Sequence, residues 1–229
     1  MSDLNTCKKY MLIEENITNF LPQKEEQNLK TEIRNIKIKT DKNTIKNTIS
    51  NQVDSLFWCF YILLNGEHEY ELNNSFQTEK DFKIQSIEQL RKIKPQLKAL
   101  KLKINEIEDE LLNAKKISIK SLIVLCLLYK KNLMYIWDRK YYEFINNPEE
   151  PINIIIWDKQ ENNFSHFIDD EKQKYYRDNY WCIQHIDKPL KSITGYTRNE
   201  LIIIANKLDI ENTKKDTKKS LYEKILEKL

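Results

Sequence analysis

The chain has 229 residues, with 38 Lys and Arg against 35 Asp and Glu and a formal net charge of +3. That near-balance excludes a histone-like polycation, and 40% hydrophobic residues suffice for a core in one or two domains. Two glycines, Gly66 and Gly195, exclude the phosphate-cradling P-loop and the GxGxxG dinucleotide turn, which need several glycines close together for the backbone to approach a phosphate.

Residues 1–48 mix Lys, Glu, Asn and Thr with isolated apolar positions and read as a weakly ordered polar arm, with one short helix near Glu25 to Ile36. The opening MSDLNTCKKY has no uninterrupted apolar stretch, so no signal peptide is expected. The α+β core is expected over 49–187. It starts with a helix through Leu56-Phe57-Trp58-Cys59-Phe60-Tyr61-Ile62-Leu63-Leu64, capped by Asp54-Ser55, ended by Asn65-Gly66 and apolar on every face. A helix of that kind belongs at the centre of a domain. His68, in Glu67-His68-Glu69-Tyr70-Glu71, reads as exposed in a polar turn. A charged helix is predicted over 78–94, with a break at Pro95. Leu97, Leu100, Ile104, Ile107 and Leu111 then form one apolar seam at three- and four-residue spacing.

Ile119 to Tyr129 reads as a second buried helix. Four short β-rich runs follow, 133–137, 141–144, 152–157 and 163–168, separated by turn compositions. Helices first and an antiparallel meander afterwards make an α+β class. A last strand-like run, Tyr180-Trp181-Cys182-Ile183, leads to the linker Asp187-Lys188-Pro189. Both apolar runs, Leu56–Leu64 and Leu122–Tyr129, fall well short of the ~20 residues a bilayer-spanning helix needs, so no membrane partner is expected. The four Trp (58, 137, 157 and 181) read as core packing.

Residues 188–229 form a second, all-α part. Leu201, Ile202, Ala205 and Leu208 share a helix face, a Lys-rich connection covers 211–219, and Leu221, Ile225, Leu226 and Leu229 mark a second helix. Nine basic residues against six acidic ones over 189–229 concentrate the chain's whole surplus here. Arg198, Lys214, Lys215, Lys218 and Lys219 are the candidate phosphate contacts, placed where ammonium groups and free helix N–H groups can meet a phosphate together. The pattern from Tyr196 to Leu226 resembles a SAP-type helix-extended-helix module, though without the Gly usual before the second helix. Duplex DNA binding, weak and salt-sensitive, stands beside protein docking and simple packing as its role.

Cysteines 7, 59, 126 and 182 include no CxxC pair, and Cys182-x-x-His185 is half a zinc site without a second half. A disulfide framework, a metal and a cofactor are therefore not expected, and the setting reads as intracellular. Asp54 and Glu108-Asp109-Glu110 have no glycosidase or metal-cage spacing.

The order of elements over 50–185, from the buried helix with Asp54-Ser55-Leu56-Phe57-Trp58-Cys59 through a second buried helix to a hairpin bearing His166, resembles papain-like cysteine peptidases of the OTU and adenain types. The resemblance implies a Cys at the start of the central helix and a His on a later strand as its base. Here that position holds Ser55 or Asp54, and Cys59 lies one turn further in. Three alternatives stay open: a degenerate peptidase fold, an enzyme using Cys59 with His166 and Asp169 on a ubiquitin-like or virion protein, and no relation.

Phe57-Trp58-Cys59-Phe60-Tyr61-Ile62 before Asn65-Gly66, with Lys188-Pro189-Leu190-Lys191-Ser192 before Tyr196, is similar to uncharacterised proteins of large nucleocytoplasmic DNA viruses. That resemblance implies a host-cytoplasm or virion setting. The expectation drawn from all of this is a non-enzymatic scaffold or docking protein with a DNA-binding carboxy-terminal module. A thiol peptidase and a structural protein–protein interaction module are the alternatives.

Overall fold

A computed structural model describes residues 52–160, 162–211 and 216–229. The predicted arm 1–48 lies outside the described residues. The fold is α+β.

The central helix forms as expected. In α1 (Ser55–Asn65) the Asp54 carboxylate accepts from Phe57 N at 3.2 Å, every residue from Ser55 to Ile62 is buried, and Gly66 at φ 87° ends the helix by donating to the Ile62 carbonyl. The expected polar turn after it is instead a short helix, α2 (Glu67–Asn73), with His68 exposed. Helix α3 (Phe76–Leu90) is capped by Ser75. After one 3₁₀ turn, Pro95 sits in the first turn of α4 (Lys94–Ala99), where its missing N–H costs nothing, so it opens a helix as well as ending one. The predicted single seam is divided. Lys101 at φ 59° turns the chain before α5 (Ile104–Asn113), although Leu97, Ile107 and Leu111 all reach the core.

Helix α6 (Ile119–Leu128) is capped by Ser118 and ends where Lys130, at φ 56°, lets Lys131 N reach back to the Cys126 carbonyl. The strands β1 (Asn132–Trp137), β2 (Lys140–Phe144), β3 (Ile152–Asp158), β4 (Asn163–Phe167) and β5 (Trp181–Cys182) form a sheet of order β4-β3-β1-β2-β5.

The sheet is mixed and not the expected antiparallel meander, because β3 lies parallel to β1. One buried side chain explains the crossing. Asn132 Nδ2 donates to the carbonyls of Asn147 and Glu150, while its Oδ1 accepts from Asn146 N and Asn147 N. These four bonds, of 2.6–3.0 Å, fold residues 145–151 back past the start of β1.

Directly paired residues share a sheet face. Leu133, Tyr135, Tyr142, Phe144, Ile155 and Phe164 face the helical layer around α1 and α6. Met134, Ile136, Tyr141 and Ile154 face Tyr176 of α7 (Asp170–Asn179), a helix not foreseen between β4 and β5.

The carboxy-terminal pair, α8 (Arg198–Lys207) and α9 (Lys218–Lys228), buries Leu190, Leu201, Ala205, Leu208, Leu221 and Ile225 in its own cluster. Asp209 takes the left-handed position after α8 at φ 58°, and Ile210 N bonds the Ala205 carbonyl, so an Asp ends the helix where Gly would be usual. The pair is not a separate bead. Trp181 of β5 packs into its cluster, Lys140 Nζ of β2 donates to the carbonyls of Lys228 and Leu229 at 3.3 and 3.2 Å, and Lys207 Nζ donates to the Arg177 carbonyl. All described residues fall in one compact unit. Among them no helix is long and apolar enough to cross a membrane.

Candidate functional site

The structure does not assemble the thiol-hydrolase set. Cys59 is 0% exposed in the middle of α1, and burial pushes its thiol well above the usual range, so it stays protonated and out of a substrate's reach. His166 on β4 is half-buried and faces the helical layer beside Ile155. Its Nε2 is 3.2 Å from Asn153 Oδ1, and burial lowers its pKa to about 4, so it is a neutral, hydrogen-bonded side chain. Asp169 caps α7, accepting from Lys172 N at 2.9 Å, and that bond holds its carboxyl below the usual range. Cys59 is enclosed in the core, His166 pairs with Asn153 and Asp169 with Lys172 N, so the arrangement gives the catalytic reading built on these three residues no support.

At the position that the peptidase resemblance gives to a nucleophile, Asp54 is saturated. It accepts from Lys83 Nζ at 2.9 Å, Ile117 N at 3.0 Å and Phe57 N, with 0% of its surface exposed. Ser55 stands beside it and lines a cavity, but His166 is not among that cavity's walls.

The cavity has a volume of about 470 Å³ and lies where α1 and α6 begin, over the carboxyl ends of β1 and β3. Its aromatic wall is Tyr135, Trp137, Trp157 and Phe164, all half-buried. Neighbouring ring centroids are 5.1 Å apart for Tyr135 and Trp137 and 4.7 Å apart for Trp157 and Phe164. Of the four Trp predicted to be core, Trp58 is fully buried and Trp137 and Trp157 are cavity walls. Trp137 and Trp157 each end an apolar run, which signals burial, but nothing local says that the helices stop short of covering them.

The second cluster is basic. Arg198 opens α8, and its Nε and Nη2 both donate to the Asp216 carbonyl at 3.1 Å, which brings the residue before the Thr217 cap of α9 to the beginning of α8. Both helices therefore start at one end of the pair and finish against β2 and α7. At that starting end Lys191 and Lys219 are exposed and Lys218 is half-buried. Lys219 has one weak surface partner, Glu223, at 3.9 Å. Thr217 caps α9 by accepting from Ser220 N, and a Thr197–Glu200 capping box closes α8. The Thr197 N–H holds the Glu200 carboxyl below the usual range, and Lys191 and Lys218 add to that effect.

Of the predicted phosphate contacts, Lys218 and Lys219 stand at this end, whereas Arg198 is used to hold the connection in place. Lys214 and Lys215 lie outside the described residues. Lys191 was missed. It precedes the first helix by seven residues in sequence, and the Tyr222 hydroxyl, donating to the Lys191 carbonyl at 2.9 Å, brings it alongside α9.

Among the described residues no three His, Cys, Asp or Glu side chains stand together as a metal site. Cys182 and His185 line a small cavity of about 110 Å³, and burial raises the Cys182 pKa. No family model matches the chain, and no curated protein or solved structure is significantly similar to it.

Proposed function

We propose that the protein binds the phosphate backbone of duplex DNA, with little sequence preference, through the end of the carboxy-terminal pair where α8 and α9 both begin, and that the α+β core is the docking body fixed behind it. The observation that carries this reading is the convergence of two helix N-termini with Lys191, Lys218 and Lys219. Helix N-termini and ammonium groups act together on an anion. The capping-box Glu200 and the paired Glu223 reduce the local field, so the affinity is modest. With about three phosphates neutralised, affinity falls roughly 40-fold between 50 and 200 mM salt.

The test is fluorescence anisotropy of a labelled duplex titrated with the full chain at those two salt concentrations, beside the Lys191→Glu/Lys218→Glu/Lys219→Glu variant. Removing the pair would also strip Lys140 and Trp181 of their partners, so charge reversal is the cleaner perturbation. Salt-dependent binding lost in the variant supports the reading. Absence of binding at 50 mM, or binding that the variant keeps, refutes it. A protein-docking role for the same pair draws on Ile203 of α8 and Leu226 of α9, each 56% exposed.

A further inference from the structure

We infer that the cavity at the start of α1 and α6 is a binding site for an uncharged, flat, fused-ring molecule. The site is separate from the basic end of α8 and α9. The chemistry of its ligand follows from the shape of the wall, the state of the polar groups around it, and the volume enclosed.

The wall is a continuous set of tilted rings. Phe164 of β4 lies 4.7 Å from Trp157 of β3 and 6.0 Å from Tyr135 of β1, which lies 5.1 Å from Trp137, all between ring centroids and with interplanar angles of 41–54°. These four rings are half-buried, while Leu133, Phe144 and Ile155 further along the same sheet face are sealed under the helical layer. Large apolar groups left partly wet in a concave place mark a ligand surface. A flat ring entering between tilted neighbours can stack on one and meet the next edge-on, the two arrangements that aromatic pairs prefer.

The polar groups leave no place for a charge. Asp54, the one acidic side chain among the described walls, is shared by Lys83, Ile117 N and Phe57 N, so it has nothing to offer a cation. Glu110 accepts from both the backbone N–H and the hydroxyl of Ser118, so a carboxylate already stands at the beginning of each helix and an anion gains nothing there. Lys116 sits on the exposed rim, in water. The Ser55 hydroxyl lines the cavity with no hydrogen-bond partner among the described residues, and it can meet one polar atom on the edge of a ring.

The volume, about 470 Å³, lies in the lower part of the roughly 300–1,000 Å³ range of small-molecule pockets, which suits a compact ring system.

The experiment is isothermal titration calorimetry of the full chain with 2-naphthol. Decahydro-2-naphthol supplies the same carbon skeleton without flat π faces, and 2-naphthoate and 2-naphthylmethylammonium supply the charged counterparts. 2-Naphthol is expected to bind about tenfold more tightly than its saturated analogue, and neither charged compound is expected to bind more tightly than 2-naphthol. Trp157→Ala is expected to weaken 2-naphthol about tenfold. Ile119→Trp, which fills the cavity from α6, is expected to abolish its binding, and Lys116→Gln is expected to leave it unchanged. Thermal unfolding run alongside confirms that each variant is folded. No heat at millimolar 2-naphthol, equal binding of the saturated analogue, tighter binding of a charged counterpart, or an affinity that survives Ile119→Trp would each overturn the assignment.

Discussion

Replacing Asp54 by Ala should cost far more than a helix cap. Asp54 joins three elements: it caps α1 through Phe57 N, fixes the entry to α6 through Ile117 N, and neutralises Lys83 of α3, whose side chain is 5% exposed. Loss of a cap costs about 1 kcal/mol, and stranding one partner of a buried ion pair costs about 3–5 kcal/mol. Lys83 keeps a second partner, Glu79, at 2.6 Å, and its ammonium lies 4.9 Å from the centre of the Phe57 ring, so the electrostatic part falls at the low end. The sum is about 3–4 kcal/mol. Urea unfolding followed by helical circular dichroism reads it as a shift of the midpoint at constant slope. Adding Lys83→Met removes the stranded charge and should recover at least ~1 kcal/mol, a non-additivity that a simple cap would not produce. A loss under ~1 kcal/mol for Asp54→Ala, or two losses that merely add, would refute the account of Asp54 as the neutralising joint.

Two further outcomes can be checked. Because burial lowers His166 to about 4 from an ordinary 6.5, the folded state binds its proton less readily than the unfolded state; the associated stability is complete above pH 6.5 and is lost as the pH falls towards 4. The unfolding free energy from urea titrations should drop by about 1–3 kcal/mol across that window, and His166→Gln, which keeps a donor for Asn153, should flatten this part of the profile. In a Cys7→Ser/Cys182→Ser background, iodoacetamide should leave Cys59 and Cys126 untouched in the native protein and modify both in urea, since both are 0% exposed. Native labelling of Cys59, read by mass spectrometry, would restore the thiol-hydrolase reading.

The elements that announce themselves are those with strong local chemistry. Asp54 and Gly66 bracket α1, Ser118 starts α6, and turn residues such as Asp138 and Asn162, both with positive φ, punctuate the strands. Helix α7 hides because Gln173 and Tyr176 are its buried residues and the rest of it is polar. The parallel pairing of β1 with β3 is written in Asn132, whose four bonds are made to residues 14–18 positions away and leave no periodic trace. The candidate cavity was illegible for a related reason. Trp137 and Trp157 end apolar runs as core residues would, and only the places where α1 and α6 begin decide that their rings are left partly uncovered. The basic end was half legible: Lys218 and Lys219 follow from composition, whereas the diversion of Arg198 to the Asp216 carbonyl depends on how α8 and α9 are set side by side.

Lys140 grips the far end of α9 from within the sheet, and this makes the carboxy-terminal pair a bracket and not a leash. A module on a floppy linker sweeps a volume and presents its cargo at every angle; one held by Lys140, Trp181 and the Arg177 carbonyl presents it over a narrower range. On a duplex, a backbone reader of this build would carry its core around the screw axis with the phosphates, returning to the same side roughly every 34 Å.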